Sequence, residues 1–178
     1  TRSLAGIAQS YQRFLLAALL VYLPPQRQRV YRQLQFCPCP LWDRGTPQFP
    51  DSTGAYLYRK GQEWRIKVFP DLYRQGKDNT ESWDGQVPNV QYEDGQCFYQ
   101  YLEAWLLDYS DLNKGKTRQL RGLRSCFKPQ HGYVFTMKSG YPYTHPAVFA
   151  ALLRVPAYRL IKKALSLDAV RLMLLKEL

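Results

Sequence analysis

Apolar residues recur at Leu4, Ile7, Ala8, Tyr11, Phe14, Leu15, Ala18, Leu19 and Tyr22, a three-and-four spacing that predicts one long first helix. Pro24-Pro25 ends it, and a second helix is expected over residues 26–36. Residues 37–53 carry Cys-Pro-Cys-Pro, Gly45, Pro47 and Pro50, which reads as loop. Then the period changes. Trp64, Ile66 and Val68 alternate with Arg65 and Lys67, predicting a strand with one basic face. With the preceding Gly54-Ala-Tyr-Leu-Tyr-Arg-Lys-Gly61 it forms a hairpin turning at Lys60-Gly61.

A polar stretch at 71–89 precedes a helix expected over 95–108, with Phe98, Leu102, Trp105, Leu106 and Tyr109 on one face. Residues 114–128 are basic and without apolar periodicity, hence loop. Tyr133-Val-Phe-Thr-Met137 reads as a short strand ended by Ser139-Gly140. Pro146 suits the first turn of a helix that Pro156 should kink or end, and a last helix is expected from Ser166 onward. No repeat or low-complexity linker interrupts the order. The expectation is a single α+β domain over residues 1–178, mainly helical with a small antiparallel β-sheet.

Composition narrows the function. At 178 residues, 46% hydrophobic and 22% charged, the chain is one domain with enough apolar content for a core, which argues against disorder. Four cysteines are too few for a disulfide scaffold. Cys37-Pro-Cys39 with the scattered Cys97 and Cys126 lacks structural-zinc spacing, so neither metal nor cofactor is expected. The apolar run at 14–23 is too short to cross a bilayer at about 20 residues, and no small-residue cleavage site follows it. The pattern opens at Thr1 already in a helix, which reads as part of something longer, and an intracellular location without a membrane partner is expected.

Charge changes the picture most. Lys and Arg number 25 against 14 Asp and Glu, a formal +11 that points to a polyanionic partner. Lys114, Lys116, Arg118, Arg121, Arg124 and Lys128 crowd into one loop, and His131 follows. With Arg59, Lys60, Arg65 and Lys67 on the hairpin they are expected to form a phosphate-binding surface. Engaging about six phosphates would give a log–log salt slope on the order of −5.

The order of elements also carries a resemblance. An apolar helix breaks into a basic turn and a second helix (Leu15-Leu-Ala-Ala-Leu-Leu-Val-Tyr-Leu-Pro-Pro-Gln-Arg-Gln-Arg-Val-Tyr-Arg-Gln-Leu34). A hairpin segment with Tyr73-Arg-Gln-Gly-Lys77, the helix Tyr99-Gln-Tyr-Leu-Glu-Ala-Trp-Leu-Leu107, the run Tyr133-Val-Phe-Thr-Met-Lys-Ser-Gly-Tyr-Pro-Tyr-Thr144 and finally Leu167-Asp-Ala-Val-Arg171 follow. As a diffuse pattern over nearly the whole chain, this resembles the catalytic domain of tyrosine site-specific DNA recombinases, the phage-integrase family.

In that family a Tyr hydroxyl attacks a DNA phosphate, two Arg hold its non-bridging oxygens, and a hairpin Lys protonates the leaving 5′-hydroxyl. The resemblance implies that Arg27 is the first Arg, with Arg29 as the alternative. Val30 stands where the family has an acid. The hairpin Lys falls on Arg74, a poor proton donor, or on the neighbouring Lys77. Arg171 matches the second Arg, and Asp168 replaces the usual His. The nucleophile should follow Arg171, but the seven residues after it include no Tyr. The resemblance therefore implies a DNA-binding integrase-like domain with an incomplete active site and double-stranded DNA as partner. The alternative is a non-catalytic accessory nucleic-acid-binding protein whose C-terminal helix (Leu167, Val170, Met173, Leu174) docks a protein or a second copy. A third reading is a single-strand binder stacking bases on Tyr56, Tyr58 and Trp64.

Overall fold

The computed structural model describes residues 3–37, 47–72, 81–107 and 122–161, with side chains described as far as 154. Helix α1 (Leu4–Tyr22) starts at Ser3, whose Oγ accepts the Gly6 N–H at 3.2 Å, so one of the free N-terminal donors is satisfied. It ends at Leu23, which is extended because the residue before a proline is pushed out of the helical region. Leu15, Leu16, Leu19 and Leu20 lie in the core. By length and composition α1 would be able to cross a membrane, and a large share of it is packed inside the domain.

Helix α2 (Gln28–Arg32) is much shorter than the expected 26–36 segment. The chain turns at Gln33 and continues as strand β1 (Leu34–Phe36), with Leu34 and Phe36 buried and Gln35 between them. The alternation of Leu34, Gln35 and Phe36 suits a sheet, and the sheet claims them. The hairpin forms, β2 (Ala55–Lys60) against β3 (Glu63–Val68), with its turn at Gly61-Gln62, one residue later than the expected Lys60-Gly61, and Gly61 at φ +59°. The polar stretch hides a strand, β4 (Trp83–Gln86), antiparallel to β3.

The sheet order is β1-β2-β3-β4, and β1 runs parallel to β2. The sheet is therefore mixed, not antiparallel, because the chain leaves β1 and returns to start β2 at the same end. The α+β class holds. Trp64, Ile66 and Val68 face the main core with helix α3 (Phe98–Leu106), while Tyr56 and Tyr58 on the opposite face form a second cluster with Cys37, Phe49 and Phe69.

Residues 133–137 do not make the expected strand. Tyr133 forms one bridge to Gln35, and then the backbone donors go elsewhere: Thr136 N–H to the buried Gln12 Oε1 at 2.8 Å, Met137 N–H to the Tyr141 carbonyl. Within the basic stretch expected as loop, Leu123–Phe127 form a 3-10 helix. Helix α4 (Pro146–Ile161) starts at Pro146 as expected but runs through Pro156. A proline removes one backbone donor, yet its fixed φ is itself helical. The helix expected from Ser166 lies outside the described residues.

Candidate nucleic-acid interface

The Pro24-Pro25 break throws the chain into an extended stretch, and Arg27 is its last residue, at φ −65° and ψ 148°. Its carbonyl accepts the Val30 N–H at 2.9 Å and so opens α2. Its guanidinium is exposed and makes no hydrogen bond or ion pair among the described residues. It lines a cleft of about 450 Å³ together with Val30, Leu72, Glu81, Ser82 and Trp83.

The remaining walls of this cleft matter for Arg74 and Lys77. Both lie outside the described residues, but Leu72 and Glu81, the residues that flank segment 73–80, are both cleft residues. Val30, where an acid partner of Arg27 was expected by resemblance, is buried at 2% exposure on the core side of α2. Asp168 and Arg171 lie outside the described residues, as do Lys114, Lys116, Arg118 and Arg121.

Short α2 is fixed at both ends. Gln28 Nε2 donates to the Pro146 carbonyl, and Arg32 Nη1 donates to the carbonyls of Tyr143, at 3.1 Å, and Thr144. These bonds tie the helix that follows Arg27 to the start of α4. Arg29 is exposed, and its Nε bonds Gln33 Oε1 at 2.9 Å.

The hairpin cations do not form the expected free basic face. Arg59 stands opposite Trp64 on the core-facing side and pairs with Glu103 of α3 at 2.9 Å, where Trp64 Nε1 also donates. Arg65 lies on the other side, bonding Asp84 at 2.9 Å and Glu63 at 3.3 Å, and Lys67 sits 3.9 Å from the same Asp84. Burial and the Asp84 carboxylate together push the Tyr58 hydroxyl well above its usual range, since Tyr58 donates to Asp84 at 2.6 Å. Three of the four hairpin cations, Arg59, Arg65 and Lys67, thus meet three carboxylates, on two faces of the sheet. Among the described residues, Lys60 alone of these four has no ion pair, and it is exposed.

Arg124 corrects the reading of the basic loop most sharply. It is 2% exposed, donating Nε to the Tyr133 carbonyl at 2.8 Å and Nη2 to the His131 carbonyl at 2.6 Å. Burial lowers its pKa to about 10. It stitches the 3-10 helix to the following segment, and a guanidinium held there cannot reach a phosphate. His131 is half-buried against it and is likewise structural. Lys128 is exposed at the end of the 3-10 helix, in the left-handed region at φ 51°. Tyr56, Tyr58 and Trp64 are at most 2% exposed, which removes them as stacking platforms.

Two cleft residues escaped sequence reasoning, Ser82 and Trp83. The available signal was a lone Trp in a polar stretch, followed by Asp-Gly. Among the described residues no group of three His, Cys, Asp or Glu side chains is arranged to hold a metal. Comparison with family models, with curated proteins and with solved structures finds no match.

Proposed function

We propose that this is a DNA-binding domain of the tyrosine-recombinase type with an incomplete active site, and that the Arg27 cleft is its anchor for a backbone phosphate. The observation that carries the reading is the placement of Arg27: a guanidinium without an ion-pair partner among the described residues, in a cleft that Leu72 and Glu81, the described residues on either side of Arg74 and Lys77 in the sequence, also line. A guanidinium fork suits two phosphate oxygens, and one without a carboxylate partner keeps its charge available. The formal charge of +11 supports a polyanionic partner. If the cleft belongs to a catalytic centre, Arg171 supplies the second clamp, Arg74 or Lys77 serves the leaving group, and Asp168 stands in the place of a His.

The alternative, an accessory nucleic-acid-binding protein without catalysis, is favoured by one feature. Val30 faces the core where an acid would orient Arg27. Incubation with a nicked duplex substrate separates the two, because a covalent protein–DNA adduct, which here needs a Tyr other than one following Arg171 in this sequence, forms only if the cleft belongs to a catalytic centre.

Binding to a short duplex, titrated at several salt concentrations, tests the shared claim. The log–log slope is expected on the order of −5, and Arg27→Ala should weaken binding and make the slope shallower by about one. Duplex affinity and slope both unchanged by Arg27→Ala would remove the cleft from the interface.

A further inference from the structure

Phosphate anchoring leaves one part of the Arg27 cleft unused, the indole of Trp83. Trp83 begins the edge strand β4 opposite Val68, on the core-facing side of the sheet. Trp64 and Trp105 are fully buried, and each commits its indole N–H to an internal acceptor, Glu103 Oε1 and the Val134 carbonyl. Trp83 is only half-buried, and its N–H has no acceptor among the described residues. A large ring is therefore left partly open to the cleft, with a donor to spare.

The ring is also held in place. It lies over Gly85, where an added Cβ would come within 2.2 Å of Trp83 Cζ2. Glycine weakens a strand, and here its missing side chain makes the flat space the indole occupies. The cleft thus presents an aromatic plate, a guanidinium with no ion-pair partner among the described residues, the side chains of Glu81 and Ser82, and an apolar floor of Val30 and Leu72. Its volume of about 450 Å³ lies within the usual range for small-ligand sites.

We propose that the cleft is a nucleotide site, in which Arg27 takes the phosphate and Trp83 stacks on the base of the same nucleotide. This rests on the phosphate role of Arg27 and adds the state of the strand. Bases in an intact duplex are stacked on each other and offer no open face. The site therefore selects DNA with an unpaired nucleotide, and Trp83 makes the selection.

The test compares an intact duplex with the same duplex carrying a short single-stranded gap, at one salt concentration. The gapped DNA should bind on the order of tenfold tighter, Trp83→Leu should abolish that preference, and Trp83→Phe should keep most of it. Gly85→Ala, which forces the ring to move, should reduce the preference as Trp83→Leu does. Because Trp83→Leu also removes core contacts, a second measurement uses the better-tolerated ring variant. Oligodeoxythymidylate should quench the fluorescence of the natural chain, and Trp83→Phe should lose that quench. Equal affinity for the two DNAs, or a quench that persists in Trp83→Phe, overturns the stacking role while leaving the Arg27 anchor standing. Failure of Arg27→Ala to weaken binding to either DNA removes both.

Discussion

Arg124 Nη2 lies 3.3 Å from His131 Nδ1, two nitrogen groups packed together inside the domain. Their contact fixes the state of the imidazole. Nδ1 faces the Arg124 guanidinium and the Tyr133 N–H at 3.2 Å, both donors, so it must accept and stays unprotonated. Nε2 then carries the hydrogen and donates to Thr136 Oγ1 at 3.2 Å, whose own hydroxyl faces the carbonyls of Met137 and Tyr141. A second proton on His131 would put two cations together and break this chain of bonds.

Stability should accordingly fall in mild acid. Burial first, and the Arg124 charge second, hold the His131 pKa below its usual value. In the unfolded chain the imidazole titrates near its ordinary value of about 6.5. Below that pH the unfolded state binds the extra proton and the folded state resists it. Stability is full above about pH 6.5 and declines as pH falls toward the folded pKa, by at most about 1.4 kcal/mol per pH unit. Urea midpoints between about pH 5 and 8 should show this slope, and His131→Asn should flatten it. An unchanged slope in the variant would assign the acid sensitivity to other groups.

Arg124→Leu keeps apolar bulk and leaves the His131 and Tyr133 carbonyls without their donor. The expected loss is roughly 2–3 kcal/mol. Duplex affinity, measured below the melting range, should keep the salt slope of the natural chain. A shallower slope would mean that Arg124 reaches DNA after all.

Three glycines should respond differently to alanine. At Gly122 an added Cβ would meet the Trp105 carbonyl oxygen at 2.3 Å, and at Gly140, with φ +81°, the Phe127 oxygen at 2.6 Å. Both contacts are backbone, which cannot swing aside, so each substitution should cost about 1–3 kcal/mol. Gly132 has open space around it, and Gly132→Ala should stay within about 0.5 kcal/mol. Thermal melts of the three variants check the order.

Arg59→Ala should act on stability and not on DNA. Its pair with Glu103 joins β2 to α3 and is mostly shielded from solvent, so about 1 kcal/mol is at stake. The exposed Lys60 offers the contrast, with Lys60→Ala leaving stability unchanged. Chemical denaturation of the two variants, paired with salt titrations, distinguishes a structural cation from a surface one.

Local signals in the sequence were enough for α1, the hairpin, α3 and the start of α4. Apolar spacing, the Pro24-Pro25 stop, the Trp64, Ile66, Val68 alternation and Pro146 each act within a few residues, and burial follows the same periodicity. The net charge and the position of Arg27 just after the proline break were legible on the same terms. Tertiary structure decided what depends on partners distant in the chain. Leu34–Phe36 became a strand because β2 offered it an edge, residues 133–137 pair with β1 only at Tyr133 and then turn their donors elsewhere, Thr136 N–H to Gln12 of α1, and Trp83 entered a strand through β3. Charge shows the division best. Sequence counts cations but not where their counterparts lie, so Arg124 read as surface until its carbonyl partners were seen, and Arg59 and Arg65 read as free until Glu103 and Asp84 closed on them. A charged side chain is available to a ligand only when nothing nearer satisfies it, and what lies nearest is fixed by the fold.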